Sequence, residues 1–103
     1  MKNTSNFLAN AKKLSTKIIA RGEASNHAHI ITGNADLFEL NSEIYIQVYS
    51  TAILKHLVET EFLKGNEISA NEHLDIPLTS GIYQYVPQIE YDPYQKLVRK
   101  VID

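Results

Sequence analysis

At 103 residues, 44% hydrophobic and with a net charge of −2, the chain has the material for one globular core and is not a disordered segment. It contains no cysteine, which excludes disulfides, thiolate metal sites and cysteine nucleophiles, so any metal must be held by His, carboxylate or carbonyl groups. No apolar run approaches the roughly 20 residues of a membrane span and the first residues lack the apolar core of a secretory signal, so a cytoplasmic protein without membrane contact is expected.

The charge is segregated. Lys2, Lys12, Lys13, Lys17 and Arg21 stand in the first 21 residues without an acid, eleven acids oppose Lys55 and Lys64 over residues 22–92, and Lys96, Arg99 and Lys100 return near the end. Five charges without interleaved aromatics make a weak nucleic-acid footprint. The preferred reading is basic ends lying against an acidic body or simply solvated, and nucleic acid is not an expected partner.

In chain order, residues 1–10 are polar apart from Phe7 and Leu8 and read as a flexible tail. Residues 17–20 form the first β-branched run and a first strand. A second strand spans 27–32 and is stopped by Gly33-Asn34, a turn pair suited to positive φ at Gly33. Residues 35–40 make the return strand, and Asn41-Ser42 is the next turn. Residues 43–50 carry the clearest signal: Ile44, Ile46 and Val48 alternate with Tyr45, Gln47 and Tyr49, the period of a half-buried strand.

Over 51–65 two periodicities compete, because Ile53, Leu54, Leu57, Val58 and Phe62 also fit one face of a helix closed by Gly65. The flanking β pattern favours a strand to about His56, then an irregular or short helical excursion within 53–65. Residues 73–78 alternate again, Thr79-Ser80-Gly81 reads as a tight turn, and 82–89 as the last long strand, edge-located or bulged at Pro87. Residues 95–102 form a short strand or helix. About seven short strands separated by turns argue one all-β domain over 1–103, a small sandwich or barrel.

The candidate chemistry lies in Gly22-Glu23-Ala24-Ser25-Asn26-His27-Ala28-His29. Side chains two apart on a strand share a face, roughly 7 Å apart at Cβ, so His27 and His29 can converge on one ion. His73 is the expected third imidazole, with Glu72 or His56 in support and Glu23 as ligand or orienting carboxylate. With no thiolate the plausible ions are divalent zinc, iron, manganese or nickel. The competing reading is that His27 and His29 hydrogen-bond within a sheet or line a pocket for a small polar ligand. Tyr83, with Tyr85, Tyr91 and Tyr94, either lines that pocket or packs at an edge. No glycine-rich phosphate loop, nucleophile elbow or zincin helix occurs.

Gly22-Glu23-Ala24-x-x-His27-Ala28-His29, Glu72-His73, Pro77-x-x-x-Gly81-x-Tyr83 and Gln88-x-Glu90-Tyr91-Asp92-Pro93 together resemble a family of small uncharacterised bacterial and phage proteins. The family pattern runs GEVTGHxH, HxEH, PxGxY, QxEYDP. Ser25-Asn26 stands where that pattern has Thr-Gly, so the turn before His27 needs another geometry, with Asn26 taking a positive φ. The Gly22…His27-x-His29 opening also resembles the first cupin motif, which implies a jelly-roll barrel with a histidine metal site. The leading expectation is a histidine-lined binding module. The alternatives are a metal-dependent small-barrel enzyme with Glu23 or Glu72 as base, and a phage-type interaction or inhibitor protein docking on a host protein. Self-pairing of an exposed strand into a homodimer is a further expectation.

Overall fold

The computed structural model describes residues 7–21, 26–70, 75–86 and 98–102. Its elements are β1 (Lys12–Lys13), β2 (Ile18–Arg21), β3 (His27–Leu40), β4 (Glu43–Val58), a short helix α1 (Glu59–Leu63), β5 (Ile76–Tyr85) and β6 (Val98–Ile102). They form one antiparallel six-stranded sheet in the order β1-β3-β4-β5-β6, with β2 also paired to β3. The domain is all-β as expected, and its sheet is open rather than closed into a barrel. No helix among the described residues is long and apolar enough to cross a membrane.

The β3–β4 hairpin dominates. Asn41 (φ 54°) and Ser42 (φ 67°) form its two-residue turn, the positive-φ geometry whose twist matches a right-handed strand pair. The alternation read from the sequence sends Ile46 and Val48 inward against Leu37 and Ala35. Strand β4 then continues through Ala52, Leu54 and His56 on the same face and ends at Val58, where α1 begins.

Gly33-Asn34 is not a turn. It lies within a continuous 14-residue β3. Between the pairs Ala35↔Val48 and Gly33↔Ala52, β3 advances two residues while β4 advances four. Two extra β4 residues are therefore accommodated as a bulge. Gly33 has φ +103°, and a Cβ there would stand 2.9 Å from both the Ala52 Cα and the Thr51 carbonyl oxygen. The glycine is needed for close approach of two backbones, not for chain reversal. Thr79-Ser80-Gly81 is likewise inside β5; a Cβ on Gly81 would lie 2.7 Å from the Ile102 carbonyl oxygen.

The bulges allow the sheet to fold over itself. Tyr45 pairs with Gln84, and His56 with His29. Those β4 positions would be about 36 Å apart along a straight strand. Yet the hydroxyl of Tyr85, next to Gln84, lies 3.1 Å from Nδ1 of His29. The enclosed core includes Ile31, Leu37, Ile46, Leu54, Leu78 and Tyr83. On the opposite face of β3, Ala28 and Ile30 pack with Ile18, Leu57 and Phe62 of α1, so the first half of β3 is buried on both sides.

Other expectations change. Of the expected tail 1–10, residues 1–6 lie outside the described residues, while Leu8 is buried and Phe7 packs edge-on against Tyr45 at 5.1 Å. The described residues carry six strands rather than seven. Strand β5 lies between β4 and β6, not at an edge, and Pro87 is outside the described residues. The C-terminal segment is a strand.

Candidate histidine site

The opening of β3 is held by Asn26. Its φ is +70°, as the departure from Thr-Gly requires. Its carbonyl accepts from the Glu59 N–H, its Oδ1 accepts from the Thr60 N–H, and its Nδ2 donates to Thr60 Oγ1, each at 2.8 Å. Val58, the N-cap residue of α1, supplies no side-chain bond, so Asn26 caps the helix from the neighbouring strand and ties the start of β3 to the end of β4.

His27 and His29 then project from one face of β3, as their spacing demands. The register sets His56 directly opposite His29 and Val58 opposite His27. The His29 and His56 rings are 4.6 Å apart with a tilt of 31°, while the His27 ring meets His56 edge-on at 5.6 Å and 84°. His29 and His56 are buried, at 9% and 4% exposure. Nδ1 of His27, Nε2 of His29 and Nδ1 of His56 are all screened from solvent.

Tyr85 closes the cluster from β5, its hydroxyl at Nδ1 of His29. Burial pushes the Tyr85 pKa up, so the phenol is neutral at physiological pH and able both to donate and to accept. Tyr83, the tyrosine expected at the site, is instead buried, with its hydroxyl donating to the Thr79 carbonyl at 3.0 Å. Lys100 stands 5.6 Å above its ring.

His27 and His29 are thus brought together, and His56 joins them as a full member. Glu23, Glu72 and His73 lie outside the described residues, as do Tyr91 and Tyr94. Among the described residues no group of three or more His, Asp or Glu is arranged to hold a metal ion; the three rings lie face to face and edge to face. The signal for His56 is a long-range one. A plain hairpin turning at Asn41-Ser42 would set Leu54 opposite His29, and the two extra residues in β4 move His56 into that place while preserving its face.

Elsewhere the basic N-terminal stretch lies partly against an acid. Lys13 and Lys17 approach Asp36 at 3.5 and 3.2 Å, and the Tyr49 hydroxyl donates to it at 2.8 Å. Lys17 also donates to the Ala35 carbonyl. The Tyr49 hydrogen bond, followed by Lys17 and Lys13, holds the Asp36 pKa below its ordinary value against the opposing effect of burial.

No curated protein matches the chain, and no solved structure matches it. A family model matches residues 2–88, and the chain therefore belongs to the family described as domain of unknown function DUF8820.

Proposed function

We propose that this protein is a small β-sheet binding module whose site is the His27, His29 and His56 cluster, and that its ligand is a divalent transition metal ion. The observation that carries the reading is ring spacing. Zinc binds an imidazole nitrogen at about 2.0–2.1 Å, which puts the ring centre roughly 3.2 Å from the ion. Two imidazoles on one tetrahedral ion therefore have centres about 5 Å apart. The measured separations of 4.6 and 5.6 Å bracket that value. The rings as they stand do not form a metal-holding group, so the reading requires them to turn before an ion can bind.

Neutral imidazole without thiolate selects zinc, iron, manganese or nickel rather than a hard cation. Glu72 and His73, the further ligands expected from the sequence, lie outside the described residues.

Elemental analysis of protein purified without an affinity tag is expected to find one metal ion per chain. The His27→Ala, His29→Ala double variant is expected to lose it. Failure of Zn2+, Mn2+, Fe2+ and Ni2+ to raise the melting temperature of the wild-type protein would remove the reading, since a ligand that binds the native state stabilises it by mass action.

A further inference from the structure

Strand β6 is the last strand of the sheet, and among the described residues it pairs with β5 alone, so its outer edge carries backbone groups that a further strand can pair with. The opposite margin is β1, and the two margins share a feature. Lys12 and Lys13 are exposed on β1, as Arg99 and Lys100 are on β6. Adjacent residues of a strand point to opposite faces, so the β6 edge presents one cation on each face. On one face Arg99 donates to Gln84, which donates to Glu43, a polar row across β6, β5 and β4. On the other, Lys100 stands over the Tyr83 ring. The strand itself is anchored: Val98 pairs with Tyr85 and packs against the core.

We infer that the outer edge of β6 is a docking edge for an acidic, extended peptide segment, which adds to the sheet as a further strand and sets consecutive carboxylates against Arg99 and Lys100. The inference is independent of the metal reading. Charge selects this occupant over a second copy of the chain. Full antiparallel overlap of two β6 strands sets the two Lys100 side chains opposite each other, and pairing of β6 with β1 of another copy sets Lys12 or Lys13 beside Arg99 and Lys100. Like charges directly opposite are destabilising, and lysine at an edge guards against such pairing. An incoming strand with two acidic residues in a row turns both repulsions into attractions. The Arg99 guanidinium, joined to Gln84 through one nitrogen, has further N–H donors in a fork that suits a carboxylate. In strand addition of this kind the main-chain hydrogen bonds supply affinity and the side-chain pairs supply the choice of partner.

The test uses two capped peptides, Thr-Val-Thr-Glu-Glu-Val-Thr-Val and the same sequence with Lys-Lys in place of Glu-Glu, each titrated up to millimolar concentration into the 15N-labelled full chain at low salt. The acidic peptide is expected to bind saturably, to shift the amide signals of Val98–Ile102 and to slow their hydrogen exchange, while the lysine peptide leaves them unchanged. Salt at 1 M, where the screening length falls to about 3 Å, is expected to weaken the binding. The double variant Arg99→Gln, Lys100→Gln is expected to bind the acidic peptide about 2–30-fold more weakly, the combined effect of two cross-strand charge pairs. No saturable binding of the acidic peptide, equal binding of the two peptides, or protection confined to other strands overturns the inference, and none of these readouts needs a variant to fold. Unchanged affinity in a folded double variant overturns it as well. A wild-type dimer in sedimentation, with the Val98–Ile102 amides protected by the second copy, overturns it in favour of self-pairing.

Discussion

Gly33→Ala should cost the fold about 3 kcal/mol, more than its single added methyl would suggest. A residue with a Cβ held at a positive φ outside the helical wells costs of order 1–3 kcal/mol. The added carbon would also meet the Ala52 Cα and the Thr51 oxygen at 2.9 Å. Both are backbone atoms of a central strand paired on either side, so neither yields as the end of a flexible side chain would. With an unfolding entropy of about 2.1 cal/mol/K per residue, a chain of this length loses roughly 14 °C in Tm for about 3 kcal/mol. Thermal unfolding followed by circular dichroism measures the shift, and urea unfolding with an unchanged m-value confirms that it reflects the native state. The same bulge sets His56 opposite His29, so the variant is also expected to weaken the cross-strand contact between those rings. A Tm within about 3 °C of wild type would refute the assignment of Gly33 to a close backbone approach.

Three further outcomes follow from the packing. Leu37→Ala removes a fully buried side chain and is expected to destabilise by about 2–5 kcal/mol in urea unfolding. Asn26→Ala deletes the bonds to Thr60 and is expected to cost about 1 kcal/mol, with raised amide exchange at Thr60 as its local signature. The lowered pKa of Asp36 in the folded state means that its contribution to stability is complete above the unfolded-state pKa and is lost as pH falls through the folded value. The acid limb of stability against pH is therefore expected to flatten in Asp36→Asn; an acid limb identical to that of wild type would contradict the assignment.

Local pattern reveals part of this structure, and pairing over long distances decides the rest. The alternation of Ile44, Ile46 and Val48 is a property of a few neighbouring residues, and β4 forms where it indicates. The passage from strand to helix near His56 is also legible, because the apolar spacing changes there from two residues towards three and four. Gly33-Asn34 and Thr79-Ser80-Gly81 read as turns because a positive-φ glycine serves a turn and a bulge equally. The choice between them rests on what lies opposite, Ala52 in one case and Ile102 in the other. His27 and His29 are legible as a pair from their spacing. His56 does not stand out as their equal in the sequence, since its place across from His29 depends on the extra residues in β4. Tyr83 outranks Tyr85 in the sequence for a related reason: the two share a strand face, and the fold of the sheet over itself determines which one meets the histidines.

The central claim, that His27, His29 and His56 together hold a divalent metal, is tested most directly by titrating tag-free, metal-stripped protein with Co2+ while recording its visible absorption. The expected result is saturation at one ion per chain with a tetrahedral spectrum, and loss of that spectrum in the His27→Ala, His29→Ala and His56→Ala variants alike. No saturable signal from wild-type protein, or an undiminished one from folded His56→Ala, would contradict it.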